Sequence, residues 1–183
     1  MYQATETLMS EHRGIERMLS LLEARIPALE AGDPSPVPDV ARGVDFLKNF
    51  ADGCHHYKEE KLLFPALAAK GLPTQGGPIA VMLHEHDEGR AFIRAMLGAL
   101  PDAGSGDRAA LTALASAARG YCVLLRAHIQ KEDSVLFQIA NQKLSEAEQD
   151  KLATEFERVE SEVMGEGTHE RYHKMLDDLE AAS

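Results

Sequence analysis

Tryptophan is absent, and all aromatic residues together make up only 5% of the 183 positions, which leaves alanine and leucine to dominate the apolar fraction, a composition that favours helices. Basic residues are also scarce: 19 Lys and Arg against 30 Asp and Glu give a formal net charge of −11. Such a surface repels a nucleic-acid backbone or an anionic membrane, so neither is an expected partner, whereas a bound cation is well tolerated. Only two cysteines occur, Cys54 and Cys122, too few for a disulfide framework, so both are expected reduced and buried. No apolar run reaches the roughly 18 to 20 residues of a membrane span. The first thirty residues carry Glu6, Glu11, Glu16 and Glu23 rather than a basic-then-apolar signal. The expected location is cytoplasmic.

What is there is a phrase written twice. His55-His-Tyr-Lys-Glu59-Glu60-Lys-Leu-Leu-Phe64 and His128-Ile-Gln-Lys-Glu132-Asp133-Ser-Val-Leu-Phe137 share the pattern HxxKE(E/D)xxLF. Each copy follows a Glu-His pair, Glu11-His12 and Glu85-His86, with 43 residues from His12 to His55 and 42 from His86 to His128. Apolar positions repeat as well: Leu8 and Met9 match Met82 and Leu83, and Met18, Leu19 and Leu22 match Phe92, Ile93 and Met96. The halves therefore read as equivalent helical hairpins.

Three- and four-residue apolar spacing predicts helices over about 4–26, 39–64, 78–100, 107–143, 146–164 and 169–181. Pro27, Gly32 and the run from Asp33 to Pro38 are expected to end the first helix, Pro65 to perturb the end of the second, and the segment from Pro101 to Asp107 to connect the third to the fourth. Ser145 with Glu148 forms a capping box, and Thr168 can cap the last helix. No segment alternates with a period of two, so no sheet is expected. The fold class is all-α, an up-down-up-down four-helix bundle over residues 1–143, with a C-terminal helical extension over 144–183 packed on it.

Residues four apart share a helix face, so His55 projects with Glu59 and His128 with Glu132, while His12 and His86 face inward from neighbouring helices if the apolar stripes are buried. Four imidazoles and two carboxylates suit iron, manganese or zinc. With two carboxylates for four histidines, the economical arrangement has each Glu bridging two ions. Burying these groups without a cation is costly. The candidate metal ligands are thus His12, His55, Glu59, His86, His128 and Glu132.

The phrases HHYKEEKLLFPAL, HEHDEGR and HIQKEDSVLF, in the order His, HxxxE, His, HxxxE, resemble the bacterial hemerythrin-like family, the HHE cation-binding domain, over about residues 5 to 142. The resemblance implies a pair of iron ions with a bridging oxo or hydroxo group, bridged by Glu59 and Glu132, that binds dioxygen, peroxide or nitric oxide. Zinc or manganese is the substitute metal, and a homodimer is the macromolecular partner considered. Oxygen-carrying hemerythrins use five histidines, with HxxxH on the third helix and Asp five residues after the last His. Here Arg90 follows His86 by four, and alignment of the halves selects Glu132 over Asp133. The missing histidine points to sensing, peroxide handling or iron binding rather than oxygen carriage; no catalytic residue is assigned. The alternative is an iron-storage or metal-stapled interaction module.

Other polar residues receive lesser roles. His56 is expected to be turned away or behind the ligands, and His84 to face elsewhere. Glu16 and Glu88 could orient a histidine. His173 could cap an open coordination position, and Tyr121 could line the pocket.

Overall fold

The computed structural model describes residues 3–165 and 167–181, and these form six helices without a strand. They are α1 (Gln3–Ala31), α2 (37–69), α3 (Gly77–Gly104), α4 (108–143), α5 (146–164) and α6 (Thr168–Ala181). Met1, Tyr2, Glu166, Ala182 and Ser183, which the sequence reading included, lie outside the described residues.

The prolines do not end helices as expected. Pro27 lies inside α1, Pro65 inside α2, and Pro101 inside α3. Each proline removes one backbone donor and strains the turn before it. Beyond them, however, Leu29, Leu67 and Ala103 are fully buried, and burying a leucine returns about 1.5–3 kcal/mol. What stops α1 is Gly32, whose φ of +86° turns the chain while its N–H donates to Leu29 and that of Asp33 to Ala28. Asp107 caps α4 through Ala110 N–H, and the Ser145–Glu148 capping box opens α5.

The ladder widens to π-type turns at 47–56 and 59–63 in α2, at 132–136 in α4, and at 160–164 in α5. Phe64 N–H donates to Glu59 C=O and Phe137 N–H to Glu132 C=O, each five residues back. Gln138 stands in the second copy where Pro65 stands in the first, so proline is not the cause of the shared widening. The repeat extends to the backbone itself.

Helices α1 to α4 form a ring in which α1 packs on α2 and α4, and α3 on the same two. Along each of these four helices the apolar residues divide into two layers. Ile15, Leu47, Ile93 and Leu125 belong to one; Leu8, Leu63, Met82 and Leu136 belong to the other. The predicted ligands occupy the gap between these layers on all four helices. The extension adds Leu152 and Phe156 of α5 to one layer and Tyr172, Leu176 and Leu179 of α6 to the other. Among the described residues no helix is long and apolar enough to cross a membrane.

Candidate metal centre

The polar layer is built by the repeat. His12 and His55 come from the first hairpin, His86 and His128 from the second, and with Glu59 and Glu132 all six are buried. Glu132 places one oxygen 3.2 Å from His12 Nε2 and the other 3.3 Å from His128 Nε2. Glu59 does the same between His55 Nε2, at 3.6 Å, and His86 Nε2, at 3.4 Å. Each carboxylate thus faces one histidine of each hairpin. The Nε2 atoms of His86 and His128 lie 3.1 Å apart, nitrogen against nitrogen.

Both oxygens of Glu59, both of Glu132, and Nε2 of His12 and His55 are buried with no hydrogen-bond partner among the described residues. Six such atoms converging on one layer would cost several kcal/mol without compensation. Cations between them remove that cost, so the donor set fits the bridged pair of ions that the sequence suggested. Phe137 stacks on His12 at 5.5 Å and Phe64 on His86 at 5.9 Å, shielding the layer from water.

Behind each imidazole, the Nδ1 nitrogen is held by a carboxylate, and each carboxylate is held by a cation. Glu11 contacts His55 at 2.7 Å and Lys58 at 2.5 Å; Glu85 contacts His128 at 2.9 Å and also Lys131. Asp133 contacts His12 at 2.7 Å and pairs with Arg13, while Glu60 contacts His86 at 2.8 Å and Arg90 at 2.6 Å. Such partners fix the tautomer and orientation of a ligating imidazole. Every charged position of HxxKE(E/D) therefore has a task, with Asp133 and Glu60 behind the layer and Glu132 and Glu59 inside it.

Electrostatics follow from this geometry. Burial pushes Glu11 upward, but His55 and Lys58 beside it prevail and hold it at about 2; Glu60 is held at about 2 by His86 and Arg90 against the same effect. Burial works to depress His12, yet Asp133 and Glu132 raise it to about 10, and Glu59 and Glu60 raise His86 to about 9. Without metal, protons serve as the cations of the layer. A histidine raised in this way stabilises the fold fully below its ordinary value of 6.5 and loses that contribution as pH rises through about 9 for His86 and about 10 for His12. The Tm of the metal-free chain should fall progressively over that window, while the metal-loaded chain, whose ions replace those protons, should hold its Tm there; thermal scans of both forms across pH check this.

His56 does not face solvent, one of the two places expected for it. It is buried, stacks on His86 at 3.8 Å between ring centroids, and lies 3.3 Å from Asp52 through Nδ1. His56, Glu59, His86 and His128 each bring one donor atom within 4.8 Å of the others. His55 and His56 are consecutive, yet both are buried at the end of the wide turn at 47–56, so the interior covers more of this helix than one face. The repeat gives no hint of it, because Ile129 occupies the matching place. Burial holds His56 well below its ordinary value, with the charges of His86 and His128 adding to the effect, so its ring is neutral, the form that ligates a metal.

The other suggestions fare differently. His84 is 74% exposed beside Glu88, and Glu16 pairs with Arg13, so neither acid orients a predicted ligand. His173 is exposed, against Phe50 and Gly14, and does not cap the layer. Tyr121 is buried with an unpartnered hydroxyl, its pKa raised by burial. Cys54 and Cys122 are unpaired and buried, which pushes each thiol up to about 12.

Comparison with known proteins decides the family, since the hemerythrin HHE cation binding domain matches residues 3–140. The chain belongs to the hemerythrin HHE family. Among relatives, the uncharacterized protein Rv1995 of Mycobacterium tuberculosis (strain ATCC 25618 / H37Rv) is 29% identical over 177 residues, covering 97% of this chain and 69% of the relative. Mb2018 of Mycobacterium bovis (strain ATCC BAA-935 / AF2122/97), also uncharacterized, matches at the same 29% over 177 residues. The iron-sulfur cluster repair protein YtfE of Dickeya chrysanthemi (strain Ech1591) is 37% identical over 86 residues, covering 45% of this chain and 38% of that protein. No solved structure gives a significant match. The family match and the buried His/Glu layer together make this a metal-binding bundle.

Proposed function

We propose that the chain holds a carboxylate-bridged pair of iron ions that binds or reacts with a small oxidant, dioxygen, peroxide or nitric oxide, in sensing or protection. One observation carries the reading: each of Glu59 and Glu132 turns its two oxygens to histidines of opposite hairpins, so both carboxylates would be shared by two adjacent ions. His12 and His55 would hold one ion, and His86, His128 and His56 the other. Bound iron would supply the electrons. The protein's own residues orient the imidazoles through Glu11, Asp133, Glu60 and Glu85, and limit water through Phe64 and Phe137.

A second reading, an iron-storage or metal-stapled module without turnover, draws on the burial of all six inner residues. Elemental analysis with an absorption spectrum separates the two. Two irons per chain and near-ultraviolet bands that change on adding peroxide are expected; one zinc and no colour would contradict the iron reading, and two irons inert to peroxide, dioxygen and nitric oxide would favour storage.

His56→Ala tests the fifth histidine. It should weaken one ion by about 10- to 100-fold and leave the other in place, as scored by competition with a chelator. His84→Ala, on the surface, should change neither.

A further inference from the structure

The repeat writes the same outer contacts on both halves, and the C-terminal helices then break that equivalence. Lys58 and Lys131 hold corresponding places in the phrase, and each clamps the glutamate behind a histidine. Lys131 is 42% exposed, so its remaining donors are open to solvent. The Lys58 side chain is 0% exposed: its Nζ lies 2.5 Å from Glu11 Oε1 and 2.5 Å from Glu160 Oε1, with the Phe156 ring 5.8 Å away. Glu160 and Phe156 both belong to α5, outside the residues matched by the family domain.

We infer that Glu160 is a positioning residue for His55, and that through it the extension seals the His12/His55 side of the centre and leaves the His86/His128 side uncapped. A buried ammonium needs acceptors for three N–H bonds. Were Glu11 the only acidic acceptor, Lys58 would draw on both of its oxygens. Glu160 takes one of the ammonium's donors, which leaves Glu11 Oε2 on His55 Nδ1 at 2.7 Å. Glu11, Glu160 and His169 also bring donor atoms within 4.8 Å of one another, but the cation between the two carboxylates is already supplied by Lys58. The Lys58–Glu160 pair and Phe156 thus cover the outer side of His55 behind Glu11.

This inference rests on the two-ion reading above, and its test has an arm that does not. With the iron-loaded full chain in excess chelator, release should follow two phases, the slow one belonging to the capped side. Glu160→Gln should speed the slow phase about tenfold and leave the fast phase unchanged. Glu160→Asp, which keeps the charge, should restore most of the slow phase and also serves if the Gln variant folds poorly. Glu157→Gln, which with Glu11, Phe156 and Glu160 lines a cavity of about 540 Å³, should have no effect. In the metal-free chain, Glu160→Gln should shift the imidazole ¹⁵N signals of His55 and leave those of His128 in place. Equal acceleration of both phases, an unaltered slow phase, an equal effect of Glu157→Gln, or an unmoved His55 signal would each overturn the inference. A chain that binds one ion while its His55 signal still moves would contradict the two-ion reading and leave the positioning role standing.

Discussion

Replacing Glu59 with alanine is expected to empty both ion positions together. The carboxylate is fully buried and divides its oxygens between His55 of one hairpin and His86 of the other, so in the proposed two-ion centre neither ion would be independent of it. Loss of a carboxylate oxygen from each coordination shell should weaken both ions by about 100-fold or more, since even outer partners of a ligand are worth about 10- to 100-fold. Glu132→Ala should behave the same way, because it spans His12 and His128. Asp133→Ala should not: Asp133 lies behind His12 and contacts only Nδ1 of that ring, so one ion weakens and the other remains. Metal content after dialysis, measured for the three variants in parallel, checks the pattern. Retention of one ion in Glu59→Ala would show that the two halves do not share it.

The second large effect concerns stability. Lys58→Ala removes the ammonium from a fully buried pair and leaves Glu11 among Cys54, His55 and Phe156 without it. Breaking a buried pair from one side typically costs about 3–5 kcal/mol, because the partner's charge stays behind without compensation. Lys131→Ala makes the same chemical change at the same place in the repeat, but there the ammonium is 42% exposed and the loss should not exceed about 1 kcal/mol. Denaturant unfolding of both metal-free variants reads the difference. Equal losses would mean that the cover provided by α5 does not matter to Lys58.

The bundle was legible because its signals are periodic and doubled. The spacing of Leu8, Met18, Leu19 and Leu22 gave α1 a buried face, and the matched positions in α3 gave the second hairpin. The six inner residues were legible for the same reason, and the structure brings all six together. The prolines were misread because a local rule, the missing N–H, was weighed without the burial of Leu29, Leu67 and Ala103 that keeps each helix going. The burial of His56 was not legible, because Ile129 holds its place in the second copy and the repeat therefore carries no signal for it. The orienting acids lay in plain view as the Glu of each Glu-His pair and the second acid of each phrase. Their assignment needed to know which helices are neighbours: Glu11 serves His55, on the next helix, rather than His12 beside it in sequence. Glu160 was beyond reach for a related reason, since it meets Lys58 only because α5 folds back across α2, 102 positions away.

Anaerobic titration of the metal-free chain with ferrous ion, followed by the imidazole ¹⁵N signals of His12, His55, His86 and His128, tests the shared centre most directly. The signals should change until two ions per chain are bound, and in Glu59→Ala none of the four should respond at those concentrations. An endpoint at one ion, or a Glu59→Ala chain in which one histidine pair still titrates as before, would contradict the shared carboxylate bridge.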